Sequence, residues 1–592
     1  MIETGSLHFS DWLSYFSFRY LTDWIRKQWE EFGLDSVSLS KYDFLFSYPN
    51  QTNPNKIYLY DAQNNIKFTS KHKEKVLRKD DEDENFVHAF NGYSPAGDVR
   101  GELVYVNYGR VEDIQKLEEL GISLKGKIAI SRYGKIFRGN RLKHCQDAGA
   151  IGVIMFSDPA DVTFGGISPD KVYPNSSFLP DSGMQRGHAR LTKGDPLSPT
   201  WPSVKGAYRQ TVEETEGLPT IPSQPIGYGD AAELLSVMGG EDVPEDWKGK
   251  IPGVQYRLGP GFGEKNKGWS VRLVVNNYLE DKEDSNILGV IQGAVEPDRY
   301  VLLCNHRDAW GYGAVDPSTG TSTLMEVARV LGSLARTGWR PRRSIVFASW
   351  GAEEYGLMGS TEWVYEKIHK IMHRAVAVIN VDICTSGDIL SPSASPVLKD
   401  VFIEAIKSVP SSQDPSETYY DFLKNYIKND PINNVEDKVK ITGSGSDHAP
   451  FSFYAGIPAL YFSFRLDQHK YPGLSGYATY HTGYETFYLV DKFIDPGFKS
   501  HSTCSKLSIH MLLNLAESAF LPLTPRHIVT EIRRGVDGMR EQKFPQILRE
   551  NGAGDAFDLM LTAIEDFNSS AKSWVQNRDK MKKERASLSP LK

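Results

Sequence analysis

The run Tyr300-Val301-Leu302-Leu303-Cys304-Asn305 is almost wholly apolar and ends directly at His306. A buried strand of a parallel sheet has this form, because both of its faces are covered. Two further runs follow the same pattern: residues 344–350 open onto Glu353 and Glu354, and residues 375–380 lead to Asp382. In open α/β sheets the chemistry gathers beyond the carboxyl ends of the strands. We therefore expect one histidine and three carboxylates to converge at one edge of a sheet.

Length and composition exclude several classes of protein. The chain has 592 residues, which is too long for one core and predicts two or three domains. Its net charge of −7, from 68 basic and 75 acidic residues, argues against a nucleic-acid-binding protein. No run of 18 apolar residues predicts a membrane span, and no signal peptide is visible at the start. The four cysteines form no C-x-x-C pair, so neither a zinc knuckle nor a disulfide framework is predicted.

The composition and the hydrophobic pattern of the sequence change along the chain. A helical, aromatic-rich pattern spans about 9–33, short strands with Gly and Pro fill 46–280, and strands alternate with helices from about 281. From about 521 the pattern is helical and increasingly charged. One helix behind the strand ends should pack its apolar face on the sheet, through Leu324, Val327, Ala328, Leu331 and Leu334.

The candidate metal ligands are His306, Asp316, Glu354, Asp382 and His481. Two zinc ions that share a carboxylate need one bridge, and a histidine and a further carboxylate for each ion. Asp316 lies ten residues after His306 in a glycine-rich loop, from which it can bridge. The natural assignment gives one ion His306, Asp316 and Asp382, and the other Asp316, Glu354 and His481. Uncompensated carboxylates at one edge would repel one another, which favours bound cations.

Glu353 is the residue that remains for proton transfer. Adjacent side chains diverge, so Glu353 is not expected to bind metal if Glu354 does, and it can instead take a proton from the attacking water. Tyr480, beside His481, can donate a hydrogen bond to a tetrahedral oxyanion. A bridging ligand in a tight turn also suggests a cis peptide at Asp316-Pro317, because cis bonds are inexpensive only before proline.

Each of these residues also has an ordinary structural interpretation. A single histidine after a strand is more often a hydrogen-bonded loop residue, Asp316-Pro317 is a common turn, and Glu353-Glu354 is a typical charge pair at a helix start. The case for a metal site depends on all of them occurring together at successive strand ends.

Several long motifs resemble the glutamate carboxypeptidase II family of co-catalytic zinc exopeptidases; they occupy residues 305–310, 315–317, 338–343, 352–363 and 480–482. The resemblance implies an α/β zinc peptidase domain with a mixed central sheet flanked by helices. It also implies an inserted β-rich protease-associated domain and a C-terminal helical dimerisation domain. The expected division is 1–45 (N-terminal part of the peptidase domain), 46–280 (protease-associated or apical domain), 281–520 (zinc peptidase domain) and 521–592 (helical domain, shortened). We call residues 46–280 the apical segment.

The resemblance also suggests substrate-binding residues. Arg138 matches the arginine that grips the terminal carboxylate of the substrate, and a guanidinium suits that task through two parallel hydrogen bonds. Gly445 and Ser446 belong to a loop matching one that lines the substrate cleft. His188 stands where the family has an asparagine.

Other positions depart from the family pattern. Tyr461 and Ser463 replace a pair of arginines that favour acidic residues upstream of the scissile bond. The run 447–451 is similar to the aminopeptidases of the clan. Of the family's calcium site Glu362 is present, but Tyr365 stands at the next acidic position, so a calcium ion near Glu362 is only weakly indicated. The usual anchor helix is absent before about residue 20, and the chain stops before a C-terminal loop whose lysine and tyrosine help to hold glutamate.

The sequence therefore predicts a dinuclear zinc exopeptidase that releases the C-terminal residue of short peptides, with glutamate as one candidate residue. Two alternatives remain open: an aminopeptidase or dipeptidyl peptidase of the same clan, and a catalytically inactive homologue like the transferrin receptor, which lacks the zinc ligands. Filled ligand positions favour an enzyme. The family resemblance further implies a homodimer on the extracellular face or in the secretory pathway, and three sequons mark candidate glycosylation sites, at Asn50, Asn175 and Asn568.

Overall fold

A computed structural model of the chain describes residues 15–83, 86–474 and 476–587. The strands, in chain order, are β1 (Ser36–Tyr48), β2 (Lys56–Tyr60), β3 (Ile66–Thr69), β4 (Asn91–Gly92), β5 (Gly97–Gly101), β6 (Leu103–Tyr105), β7 (Ile128–Arg132), β8 (Gly152–Phe156), β9 (Gly187–His188), β10 (Ser223–Ile226), β11 (Ser270–Val275), β12 (Tyr278–Ile291), β13 (Glu296–His306), β14 (Arg343–Trp350), β15 (Ala375–Asn380), β16 (Ile389–Ala394) and β17 (Ala459–Arg465).

The helices, in chain order, are α1 (Tyr15–Phe32), α2 (Val111–Glu119), α3 (Arg138–Asp147), α4 (Pro159–Val162), α5 (Tyr228–Leu235), α6 (Ser318–Arg336), α7 (Met358–Arg374), α8 (Lys399–Ser408), α9 (Tyr419–Tyr426), α10 (Val435–Lys438), α11 (His448–Phe453), α12 (Phe487–Leu489), α13 (Lys499–Glu517), α14 (Arg526–Glu541), α15 (Phe544–Glu550) and α16 (Gly554–Ser587). The first predicted helix is thus present as α1, whereas predicted residues 9–14 lie outside the described residues.

The largest sheet within the described residues has seven strands in the order β1-β12-β14-β13-β15-β17-β16. The four central strands, β14, β13, β15 and β17, are parallel to one another. The outer strands β12, β1 and β16 run antiparallel to their neighbours. This confirms the predicted mixed sheet, and it brings the carboxyl ends of the central strands to one edge.

Helices cover both faces of this sheet, which explains the continuous apolar run of β13. Val301 and Leu303 belong to a core shared with α1, α6 and α13, whereas Leu302 and Cys304 belong to a core shared with α7 and α11. Successive side chains of a strand point to opposite faces, so both parities must be apolar when both faces are covered.

The apolar face of α6 packs on the sheet as predicted, with one exception. Leu324, Val327, Ala328 and Leu331 are buried, but Leu334 is 39% exposed. In the last turn of the helix Ala335 takes the inward position instead and is 3% exposed. The prediction for Leu334 was therefore wrong, because it lies at the margin of the apolar stripe.

The apical segment is inserted between two neighbouring strands of the large sheet. β1 pairs with β12 along its whole length, from Ser36 opposite Val290 to Tyr48 opposite Tyr278. The chain therefore leaves and re-enters the sheet at adjacent points. Among the described residues the insertion contains a parallel sheet, β10-β8-β7-β6, and an antiparallel sheet, β3-β2-β11-β5, which share one apolar core. The exact domain ranges stay a prediction.

The C-terminal helices α14, α15 and α16 pack against one another around Val529, Val536, Phe557, Ile564 and Ala571. Of the helices that the structure describes, none is both long and apolar enough to cross a membrane.

Candidate metal centre and active site

The predicted ligands meet at the carboxyl edge of the parallel strands. His306 is the last residue of β13, and its neighbour in the register on β14 is Trp350, three residues before Glu353. Asp382 follows β15 by two residues, while Asp316 and His481 lie in loops that reach the same edge. Parallel strands thus place side chains that are far apart in sequence next to one another.

The five side chains form two groups that share Asp316. In the first group, His306 Nε2 lies 3.2 Å from Asp316 Oδ1 and 3.0 Å from Asp382 Oδ1. In the second, His481 Nε2 lies 3.3 Å from Asp316 Oδ2 and 3.2 Å from Glu354 Oε2. The two oxygens of Asp316 therefore face different histidines, which is the arrangement expected of a bridging carboxylate.

The donor set fits a pair of zinc ions. Within each group the ligand atoms all lie within 4.8 Å of one another, and every member is buried. Asp316 Oδ1, Glu354 Oε1 and His481 Nε2 are buried atoms without a partner at hydrogen-bonding geometry. Buried polar atoms rarely stay unpaired, so these three atoms fit the role of metal ligands. Imidazole nitrogen and carboxylate oxygen are donors that suit zinc.

Electrostatics supports the same interpretation. Burial raises the pKa of Glu353 and of Glu354 well above the ordinary value, and nearby carboxylates add to the effect in Glu354. Burial acts in the same direction on Asp316, but His306 and His481 outweigh it and lower the pKa of Asp316. A site with this much negative charge and so little solvent needs cations to offset the repulsion.

Asp308 supports the first group, a role that the sequence did not reveal. The carbonyl oxygen of Asp308 lies 3.0 Å from His306 Nδ1. Its two carboxylate oxygens accept the backbone N–H groups of Glu353 and Glu354, each at 3.0 Å. Asp308 lies inside the motif at 305–310, which was the available signal for its importance.

Glu485 supports the shared ligand and the second group. Its carboxylate accepts the backbone N–H of Asp316 at 2.6 Å and that of His481 at 3.0 Å. Glu485 was not predicted from the sequence, because an acceptor of backbone hydrogen bonds has no spacing rule of its own. The peptide bond Asp316-Pro317 is cis, which confirms the sequence prediction.

Two comparisons of the sequence identify the family. The model of "Peptidase family M28" matches residues 286–493, and that of the "PA domain" matches residues 99–191. The chain is 39% identical over 547 residues to "Aminopeptidase NAALADL1" of Mus musculus, covering 91% of this chain and 73% of that protein. The chain belongs to peptidase family M28.

Other relatives of this M28 chain carry a different name. "Glutamate carboxypeptidase 2 homolog" of Caenorhabditis briggsae is 37% identical over 519 residues, which cover 86% of this chain and 66% of that protein. The resemblance to the glutamate carboxypeptidase II family is thereby confirmed. The chain is a metallopeptidase, and its relatives are named both as aminopeptidases and as glutamate carboxypeptidase homologues.

A solved structure supports the fold. The "Peptidase M28 precursor" from Shewanella amazonensis SB2B aligns with a TM-score of 0.50 and 15% sequence identity, covering 85% of this chain and 89% of that one. At this level of identity the likeness concerns the fold alone.

Arg138, in the apical segment of the M28 chain, lies near the carboxyl edge of the large sheet. Arg138 opens α3, is 7% exposed, and its guanidinium carbon lies 5.9 Å from the centre of the Tyr480 ring. Its Nη2 donates to Gln185 Oε1 at 3.0 Å, whereas its buried Nε has no partner. Gly187 has a φ of 140°, and a Cβ there would lie 2.3 Å from the Arg138 guanidinium carbon. Glycine at this position is therefore required for Arg138 to occupy its place.

His188 and Tyr480 also lie at this side of the centre. His188 and His481 are both buried. Burial lowers the pKa of His188, and nearby cations that include Arg138 lower it further. The rings of Tyr480 and His481 stack with centroids 3.6 Å apart. The predicted substrate residues Arg138 and His188 and the predicted oxyanion donor Tyr480 thus lie on the His481 side of the centre.

The other predicted substrate positions lie near the first group. Ser446 is buried, and its hydroxyl accepts Asn380 Nδ2 at 2.7 Å, whereas the neighbouring Gly445 is exposed on its loop. On β17, Ser463 Oγ accepts a hydrogen bond from Arg465 Nε at 3.1 Å, so the guanidinium of Arg465 lies on the same face of the strand as Ser463. No sequence motif pointed to Arg465.

Glu362 is occupied by backbone donors. Its two carboxylate oxygens accept the N–H groups of Asp195 at 2.7 Å and Ser203 at 2.8 Å. Among the described residues, neither group of potential metal ligands includes Glu362. The weakly indicated calcium ion stays a prediction.

Proposed function

We propose that this M28 peptidase is a dinuclear zinc exopeptidase that releases the C-terminal residue of short peptides. The observation that carries the proposal is Asp316, whose two oxygens face His306 and His481 at 3.2 and 3.3 Å. His306, Asp316 and Asp382 would hold one zinc ion, and Asp316, Glu354 and His481 the other. When bound, zinc ions act as Lewis acids that acidify water and polarise a peptide carbonyl.

The residues of the chain supply proton transfer and hydrogen bonding. The Glu353 carboxylate takes the proton of the attacking water and then transfers it to the nitrogen of the leaving amine. Its backbone is fixed for this role by the hydrogen bond from Glu353 N to Asp308 Oδ1 at 3.0 Å. The Tyr480 hydroxyl donates a hydrogen bond to the oxygen of the tetrahedral intermediate.

Recognition of the substrate's C-terminal carboxylate is assigned to Arg138, with His188 beside it. The buried Nε of Arg138 lacks a partner, so the guanidinium keeps hydrogen-bonding capacity for a ligand. A fork of two parallel N–H donors matches a carboxylate in charge and in geometry. Gly445 and Ser446 complete the cleft on the other side of the centre.

A two-substrate assay tests the direction of cleavage. Purified protein loaded with zinc is incubated with N-acetyl-Asp-Glu and, separately, with dipeptides that have a free amine. The proposal predicts hydrolysis of the acetylated peptide. Turnover of free-amine dipeptides alone, with the acetylated peptide intact, would contradict it.

An aminopeptidase is the second candidate, and the name of the mouse relative at 39% identity favours it. The same assay decides between the two. A receptor-like inactive protein is disfavoured because all five ligand positions are filled and mutually close. Zinc content near two ions per chain supports the enzyme, and a folded protein that binds no zinc would favour the receptor.

The remaining family properties are proposals as well. They comprise a homodimer, a location on the extracellular face or in the secretory pathway, and glycosylation at Asn50, Asn175 and Asn568. The oligomeric state tests the homodimer, the chain mass before and after deglycosylation tests the glycosylation, and the cell fraction that contains the protein tests the location.

A further inference from the structure

A buried ion pair in the apical segment lies directly beneath the loop that carries His481. The guanidinium of Arg186 donates to Glu74 through two parallel bonds, Nη1 to Oε1 at 2.7 Å and Nη2 to Oε2 at 2.8 Å. The side chains are 0% and 5% exposed. Arg186 Nη2 also donates to the carbonyl of Val87 at 2.8 Å, so the pair is anchored in the apical backbone.

Both members of the pair are bonded to the His481 loop. The backbone N–H of Gly483 donates to Glu74 Oε1 at 2.9 Å. A Cβ at position 483 would lie 3.2 Å from Glu74 Cδ, so glycine allows this close approach. Arg186 N donates to the carbonyl of His481 at 3.0 Å, and the carbonyl of Arg186 lies 3.2 Å from His481 Nδ1.

These bonds define the state of the His481 side chain. A carbonyl oxygen can only accept, so Nδ1 must carry the proton and Nε2 is left as the acceptor. That nitrogen is the one that faces Asp316 and Glu354. The ring is thereby held in the tautomer that a metal ion requires, and partners of this kind tune metal affinity.

The backbone of His481 also needs external support. Its φ is 59°, in the left-handed region that is uncommon for residues other than glycine. Such a conformation persists only where its surroundings over-determine it. Here Glu485 holds the N–H of His481 from within the peptidase domain, and Arg186 holds its carbonyl from the apical segment.

We propose that Glu74 and Arg186 are positioning residues for His481, and that they set the zinc affinity of the group formed by Asp316, Glu354 and His481. The inference rests on the proposed dinuclear function and deepens it. Binding of one of the two zinc ions is thus controlled by a salt bridge in the apical segment, between two residues that are 112 positions apart in sequence.

The test is a zinc titration of the full-length apo-protein by calorimetry. In Glu74→Gln, and in the neutral double variant Glu74→Gln/Arg186→Met, zinc affinity of one site should fall about 10- to 100-fold, while that of the other is unchanged. The double variant leaves no unpaired buried charge, which protects folding. Asp113→Asn is the matched control, because Asp113 is also a buried apical carboxylate bonded to an arginine, Arg110. It should bind zinc like the wild type.

The outcomes separate this inference from the proposed function. If the wild type binds fewer than two zinc ions, the dinuclear proposal fails. If the wild type binds two, and folded variants at Glu74 bind both with unchanged affinity, the positioning role is wrong.

Hydrogen exchange of the wild-type protein decides the question if the variants do not fold. The amide of Gly483 should be protected in the apo-protein, before zinc is added, because Glu74 already holds it. Exchange at the rate of an unstructured amide until zinc is added would overturn the inference.

Discussion

The sheet edge and the apical segment contribute to the same centre in different physical ways. His306 and Asp382 are placed by neighbouring parallel strands whose register is set by a continuous core. Arg138 and Arg186 belong instead to the apical segment, where Arg138 is held by Gln185 and Arg186 contacts the distant loop of His481. The difference indicates that the positions of His306 and Asp382 depend on the sheet, whereas the substrate recognition and the state of His481 that we propose depend on the apical segment.

The largest expected effect tests the sheet edge. Glu353→Gln should lower kcat by about 10²- to 10⁴-fold, since a neutral amide cannot accept the proton of the attacking water. Zinc content should not change, because Glu353 is outside both groups of ligand atoms. Turnover and zinc content are measured on the same sample. Near-normal turnover would remove Glu353 from its catalytic role.

An intermediate effect tests the apical segment. Arg138→Ala should reduce kcat/KM about 10- to 100-fold for peptides with a free C-terminal carboxylate, which corresponds to the loss of one charged hydrogen-bonding partner. C-terminally amidated peptides, already poor substrates, should lose little more. Arg138→Lys is the matched control, because lysine keeps the positive charge without the two parallel N–H donors. Its kcat/KM should lie between that of the wild type and that of Arg138→Ala. An equal loss on both peptide types would argue against carboxylate recognition.

A third prediction concerns stability at the contact between the sheet domain and the apical segment. Glu362, on α7, accepts N–H groups of the apical segment, and burial raises its pKa from 4.5 to about 8. The unfolded carboxyl loses its proton near pH 4.5, whereas the folded one keeps it until about pH 8. Between these values the unfolded state binds fewer protons, so stability should fall as pH rises, by about 1.4 kcal/mol per pH unit.

Thermal unfolding between pH 5 and 8 checks this sign. Glu362→Gln does not titrate, so the decline in Tm with pH should become shallower in that variant. Glu326→Gln, an exposed position on α6, serves as the control and should keep the wild-type slope. An equal or steeper decline in Glu362→Gln than in the wild type would contradict the assigned direction.

The features at the edge of the large sheet could be predicted from the sequence, whereas the contacts made by the apical segment could not. The mixed sheet was predictable because each central strand is an apolar run, and the clustering of His306 and Glu354 followed from strand ends at one edge. The prediction that Leu334 packs on the sheet was wrong, because helical spacing alone does not show where an apolar stripe ends. Glu485 and the Glu74–Arg186 pair were missed because they act through backbone groups and long-range contacts, which leave no local period or spacing.

The central claim is that Asp316 joins two zinc sites, and zinc titration of the apo-protein tests it most directly. The account predicts two zinc ions per wild-type chain and weakened binding at both sites in Asp316→Asn, since both oxygens of Asp316 face a ligand histidine. A single zinc ion in the wild type, or two zinc ions bound with unchanged affinity in Asp316→Asn, would contradict it.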